Sequence, residues 1–390
     1  MSPLAVVCVL TFLHYAGAQM RGPVLPLYAA AHGATATGVG AIVAAHMMVA
    51  AIGSIPLGRA SDAWGRRPLL LAGMIISAVT SALLPLAEAA VPLAIIYGVA
   101  GIGVAAFTPS ALSMVGDVAA AGAAGRAFAW YTIAHYGAIG VGSFLGGVVA
   151  QAAGYGISFI VSAGLVAITL ALGFAWIESP AVRLKAADAN ATFADVRKNA
   201  IVWAGWVISF CGLVTQAVVY TFFPLLGAER GMTAAGIGVV FLVLGLANTA
   251  ARIPAGWLVD RTKHSSLYAI LGVLVGSFAT ALLPHITSHM SLLALVALFG
   301  AVNGTAGVAI GVALTRATTP AVRGLVMGGY STALYLGLAL GSLALGPVIS
   351  QHGYGAGFWV GGLTGAVGAV LAAILWMIGQ RASRRSPRES

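Results

Sequence analysis

The 390-residue chain is 60% hydrophobic and only 7% charged, with a mean hydropathy of +0.99 and a formal net charge of +10. Soluble proteins carry roughly 25% charged residues, so this much apolar surface excludes a water-soluble fold and calls for lipid as the solvent. The basic excess does not indicate nucleic acid, because it falls on alternate connections between apolar runs.

A bilayer crossing takes about 20 apolar residues. Twelve runs qualify, near residues 4–27, 37–58, 68–87, 91–115, 127–151, 156–177, 200–225, 235–258, 266–284, 290–315, 324–350 and 356–378. The first carries His14, Gln19 and Arg21, and no Lys or Arg precedes its apolar stretch, so it reads as a retained span rather than a cleaved signal. His46 lies in the second run and His135 with Tyr136 in the fifth. Between the sixth and seventh runs, Glu178 to Asn199 is abruptly polar. The expected organisation is therefore a six-helix bundle over 1–178, a cytoplasmic linker over 179–199, a second bundle over 200–379 and a basic tail over 380–390. The seventh run holds Trp203, Trp206 and Tyr220, the eighth Asn248 and Arg252, and the eleventh Tyr330 and Tyr335. Cys8 and Cys211 sit inside apolar runs, which supports neither a disulfide nor a cysteine metal site.

The second half repeats the first. Ile55-Pro56-Leu57-Gly58-Arg59-Ala60-Ser61-Asp62 returns as Ile253-Pro254-Ala255-Gly256-Trp257-Leu258-Val259-Asp260, and Gly33, Thr35, Gly38 and Gly40 return as Gly231, Thr233, Gly236 and Gly238. Gly142-Ser143 matches Gly341-Ser342, and Gln151 resembles Gln351 with a one-residue slip. A duplicated set of spans is the pattern of a secondary transporter built from repeats. Glycines Gly142, Gly146, Gly147, Gly341 and Gly346 are expected to let helices approach closely.

Arg59, Arg66 and Arg67 follow the second run, Arg126 the fourth, Lys185 and Lys198 the sixth, and Arg261 the eighth, while Arg381 to Arg388 form the tail. By the positive-inside rule both termini are cytoplasmic. An abundance of Ala and Gly suggests a GC-rich bacterial genome, and the expected location is a bacterial inner membrane.

Gly58-x-x-x-Asp62-x-x-Gly65-Arg66-Arg67 closely resembles the loop signature of the major facilitator superfamily, and Gly256-x-x-x-Asp260-Arg261 is its weaker copy. The resemblance implies an all-α membrane fold of twelve transmembrane helices in two pseudo-symmetric six-helix bundles. It also implies a latch that joins the halves on the cytoplasmic side when the cavity opens outward. Asp62 and Asp260 would be its acids, with Arg66 and Arg126 as partners and Asp117 nearby. Two departures count against a simple proton–drug antiporter: Ser143 stands where the family's fifth-helix signature has Pro, and Tyr97 where exporters carry Arg a turn before Gly101.

Polar groups deep in lipid are costly and so point to function. Every acidic residue falls in a loop or near a helix end, which disfavours coupling through a buried carboxylate. His14, His46 and His135 could carry a coupled proton, or be neutral histidines bonded between helices. Arg252, with Asn248 one turn earlier, stands where the superfamily's organic-anion members hold a substrate carboxylate; it could equally reach the surface or join the latch. Gln19, Arg21, Tyr136, Tyr220 and Tyr335 complete the candidate cavity lining. The expected protein is a monomeric secondary transporter of a small molecule, without cofactor or metal, and not an enzyme. Export of an amphipathic or apolar compound, as an efflux antiporter, is the preferred reading; transport of a small organic anion through Arg252 and Arg21 is the alternative. A membrane-embedded enzyme is disfavoured because no Gly-x-Ser-x-Gly or His-Glu-x-x-His occurs.

Overall fold

A computed structural model describes residues 1–120, 124–177, 196–197, 199–262 and 264–385, the side chains of 124, 320, 321, 323, 324 and 382–385 excepted. Most of the expected linker and part of the basic tail, including Lys185, Lys198 and Arg388, lie outside the described residues, as does Lys263. Among those residues the protein is helical: α1 (Pro3–Gln19), α2 (Arg21–Ala31), α3 (Ala36–Trp64), α4 (Arg66–Leu83), α5 (Ala90–Val118), α6 (Ala124–Ala153), α7 (Tyr155–Trp176), α8 (Ala200–Glu229), α9 (Ala234–Thr262), α10 (Ser265–Leu282), α11 (His289–Arg316) and α12 (Pro320–Arg385).

The helices make twelve crossings. α1 and α2 form one span broken at Met20, where Pro23 lacks the N–H that would reach the Gln19 carbonyl. α12 is the reverse case. Its apolar stretch, Leu325–Arg381, runs 57 residues, about 85 Å at 1.5 Å per residue, and it holds a non-helical break at Gly353 (φ 80°, ψ 171°). That break separates the eleventh and twelfth crossings.

The sequence repeat is also a repeat of local structure. Thr35 Oγ1 accepts from the Gly38 N–H and Thr233 Oγ1 from the Gly236 N–H, so α3 and α9 begin with the same cap. Pro26 and Pro56 recur as Pro224 and Pro254 inside helices. Gly33 and Gly154 turn the chain at φ 82° and 92°, as do Gly231 and Gly353 at 77° and 80°, in a region that side chains with a Cβ avoid. These four turns lie at the end of the bundle opposite the N terminus, here called the distal end; the Gly65 turn lies at the proximal end.

The core shows how the halves meet. One buried cluster draws on both, with Val24, Ile42 and Phe159 packed with Phe222, Phe241 and Phe358 toward the distal end. Proximally the core splits. One cluster holds only first-half residues, among them Val7, Leu70 and Phe107; the other holds only second-half residues, among them Ile208, Val259 and Trp376. The halves are therefore joined distally and parted proximally.

Candidate functional site

Arg252 lies on α9, between the closed and open ends. Its Nε donates to Asn248 Oδ1 at 3.0 Å, one helical turn back. Its guanidinium carbon stands 3.6 Å from the centroid of the Tyr136 ring, on α6 of the other half. Gly307 leaves room beside it, since a Cβ there would come within 3.5 Å of a terminal nitrogen. Among the described residues the three ion pairs lie elsewhere, so no carboxylate answers this half-buried cation. Its terminal nitrogens donate to no acceptor there either.

From Tyr136 a line of rings leads into the first half. Tyr136 meets His135 edge-on at 4.8 Å, and His135 meets Tyr15 at 4.1 Å. Tyr15 shares a 2.6 Å hydroxyl contact with Thr108 on α5. Tyr335, from α12 in the other half, lies near this contact. His14 stacks on Phe107 with centroids 4.0 Å apart. The Nδ1 atoms of His14 and His135 and the hydroxyls of Thr11 and Tyr131 are buried without a hydrogen-bond partner among the described residues. All four lie on α1 and α6. Tyr220 on α8 packs against Phe241 at 5.8 Å and, with Tyr330, lies within the field of Arg252.

Arg21 and His46 are placed differently. Arg21, 3% exposed, donates to the Ala18 carbonyl at 3.0 Å, to Ser77 at 3.2 Å and to Thr80 at 3.4 Å, and stands 5.9 Å from the Tyr97 ring. His46 stacks on the same Tyr97 at 4.1 Å, and its Nδ1 lies 2.8 Å from the Tyr97 carbonyl. All these partners belong to the first half. Gln19 lies beside Gly22. The sequence grouped Arg21 with Arg252 for one anion, but in the structure the two share no partner.

The loop motif forms ion pairs, though not between the halves. Arg66 pairs with Asp62, and with Asp117 at 3.2 Å, all in the first half; Arg316 pairs with Asp260 at 3.0 Å in the second. Arg67 donates to the Phe174 carbonyl, and Arg261 stands 5.0 Å from the Trp257 ring. Arg126 is exposed, Gly58 faces Pro109, and nothing lies close above Gly256. The expected half-to-half latch is therefore not made in this conformation, because the halves are parted where it would form. Sequence reasoning offered Arg66 and Arg126 as partners for the latch acids and did not single out Arg316, which holds Asp260. It also passed over Thr108, which adjoins Pro109 in an apolar run and carries no motif.

The glycines singled out in the sequence sit where helices cross closely. A Cβ on Gly142 or Gly146 would strike the carbonyls of Ala16 and Met20, one on Gly147 the Ala234 carbonyl, one on Gly341 the Val214 backbone, and one on Gly346 the Ala36 carbonyl. Among the described residues no cluster of three or more His, Cys, Asp or Glu is placed to hold a metal ion.

Twelve crossings in two repeated sets, with polar groups converging between them, define a polytopic membrane transporter. The profile of the Major Facilitator Superfamily matches residues 7–341, and the chain belongs to that family. It is 21% identical over 351 residues to an uncharacterized MFS-type transporter of Methanocaldococcus jannaschii, covering 87% of this chain and 89% of that protein. To the uncharacterized MFS-type transporter YwfA of Bacillus subtilis it is 27% identical over 340 residues, covering 82% and 76%. Two solved structures share the fold. One is a point mutant of the nucleoside transporter NupG, at TM-score 0.79 and 12% identity over 96% of this chain and 100% of that one. The other is a bacterial homologue of the human lysosomal transporter Spinster, inward-facing and occupied, at TM-score 0.80 and 14% identity over 99% and 98%.

Proposed function

We propose that the protein moves a small organic anion, a carboxylate on a flat or apolar body, by alternating access between its halves. The observation that carries this reading is Arg252, a half-buried guanidinium that has no carboxylate partner among the described residues and whose terminal nitrogens donate to no acceptor among them. A cation partly withdrawn from water favours an anionic partner, and a planar fork of donors suits a carboxylate. Tyr136, Tyr220 and Tyr330 supply aromatic surface for the rest of the molecule. Export of a neutral apolar compound would use the same rings but would leave Arg252 unmatched, so the anion reading is now favoured over the one the sequence preferred.

Proton movement is assigned to His135. Among the described residues the acids Asp62, Glu88, Asp117, Glu229 and Asp260 lie at helix ends or in loops. His135 faces Tyr15, Tyr131 and Tyr136, has His14 beyond Tyr15, and lies in the field of Arg252. A proton taken up there as the anion reaches Arg252 would make the loaded site electrically neutral relative to the empty one. Asp62, Asp260 and the arginines Arg66, Arg67, Arg126 and Arg261 are read as the proximal latch, which engages when the parted end closes. The proximal end and both termini are read as cytoplasmic, on a bacterial inner membrane, from the Lys and Arg distribution.

Liposomes carrying the purified protein and a trapped pH dye test this reading. A benzoate gradient is expected to drive protein-dependent acidification on the receiving side beyond the rate in empty liposomes, while benzamide drives none. Benzoate, pyruvate and other small carboxylates all failing, with a neutral or cationic compound moving instead, would contradict it.

A further inference from the structure

The distal closure is built twice from the same three contacts. At the crossing of α3 with α12, a Cβ on Gly40 would strike the Ser342 carbonyl, and one on Gly346 would stand 2.9 Å from the Ala36 carbonyl. At the crossing of α9 with α6, a Cβ on Gly238 would stand 3.1 Å from the Ser143 carbonyl, and one on Gly147 would strike the Ala234 carbonyl. Each contact at one crossing has its repeat counterpart at the other. The third contact is a hydrogen bond. The Thr37 N–H, in the first turn of α3, donates to Ser350 Oγ at 3.1 Å; the Ala235 N–H, in the first turn of α9, donates to Gln151 Oε1 at 3.1 Å. Thr37 and Ala235 are repeat counterparts, and so are Gln151 and Ser350, at the 199-residue offset that also relates Ser143 to Ser342. The sequence match of Gln151 to Gln351 is therefore off by one.

We infer that Ser350 and Gln151 are a paired distal gate: each caps the free N–H groups at the start of a helix in the opposite half, and both caps must be withdrawn for the distal end to open. The first turn of a helix leaves N–H groups without an intrahelical partner, and a side-chain acceptor there is stabilising. Thr35 and Thr233 cap α3 and α9 from within the same half. Ser350 and Gln151 add a second acceptor that exists only while the halves touch. The Thr37 hydroxyl, 3.0 Å from Ser350 Oγ, strengthens one of the pair. When the distal end parts, the N–H groups of Thr37 and Ala235 pass to water, so each cap biases the protein toward the proximally open state by the small net value of one hydrogen bond. This inference needs no particular substrate.

The test uses the full chain with Cys8 and Cys211 replaced by Ala and spin labels on cysteines at Ala31 and Ala228, exposed distal positions in opposite halves. Pulsed dipolar spectroscopy in nanodiscs is expected to give one short distance population. In Gln151→Ala and Ser350→Ala a longer population should grow, about 2- to 10-fold each in the ratio of long to short, as loss of one net hydrogen bond dictates. The two effects should multiply in the double variant. Gln151→Glu, which keeps the acceptor, should stay short. An unchanged distribution in the double variant overturns the inference. In a separate, unlabelled Thr37→Cys/Ser350→Cys chain, mild oxidation should join the two thiols. Failure to cross-link also overturns it.

Discussion

Arg252 of the second half and Tyr136 of the first are in direct contact, guanidinium carbon over ring centroid at 3.6 Å. The contact joins α9 to α6 just where the shared distal core gives way to two separate proximal ones. A ligand that engages Arg252 therefore acts on the joint between the halves. Closing the proximal end around such a ligand would change the surroundings of both residues together.

Arg252→Lys keeps a charge but loses the fork and much of the stacking on Tyr136. Its carboxylate affinity should fall at least tenfold, since a charge-assisted bidentate contact and a cation–π contact each contribute about 1–2 kcal/mol. Isothermal titration with benzoate against both forms measures this. Equal affinity would remove the two-point contact from the account.

His135→Gln preserves a polar group of similar size but cannot carry a proton at neutral pH. Anion-driven acidification should disappear while anion counterflow, which needs no net proton movement, persists. Acidification that survives in His135→Gln and is lost in His14→Gln would move the proton to the other ring.

The two proximal ion-pair clusters should differ in strength. Arg66 is 12% exposed in its side chain and answers two acids; Arg316 and Asp260 are 43% and 75% exposed. Exposed pairs contribute about 0–1 kcal/mol, so Arg316→Ala should leave the melting temperature in detergent within error. Arg66→Ala should lower it measurably, because Asp117 is left partly buried without a partner. Equal shifts would show that burial does not separate the two clusters.

Gly40→Val places a branched side chain against the Ser342 backbone carbonyl, which cannot rotate away. Overpacking of this kind costs about 1–3 kcal/mol or more, charged here to the distally closed state alone. A cysteine at Thr221, 1% exposed beside Ser342, should then react faster with a membrane-impermeant maleimide added from the distal side. An unchanged rate would mean the crossing accommodates the side chain.

Much of this fold is legible in the sequence because its signals are one-dimensional. Apolar runs give the spans, and the fixed offset pairs Pro56 with Pro254 and Gly40 with Gly238. The spans at either end of the count hid their breaks: Met20 divides one crossing, and Gly353 divides what is otherwise continuous helix. The site was less legible. Arg252 with Asn248 four residues earlier could be read as one helical face, but its contact with Tyr136 depends on how two distant helices cross. Arg21 looked equivalent by composition, yet Ser77, Thr80 and Tyr97 enclose it within one half. The latch acids were visible as a motif; that they pair within each half follows from the conformation, which no spacing encodes.

The central claim is that an anion is held by Arg252 at the joint between the halves. Thermal unfolding of the purified protein against a panel of small carboxylates and their neutral amides tests it most directly, since a ligand that binds only the folded state raises the melting point. At least one carboxylate should stabilise the unaltered protein, its amide should not, and Arg252→Ala should abolish the effect. Stabilisation by neutral or cationic compounds alone, undiminished in Arg252→Ala, would contradict it.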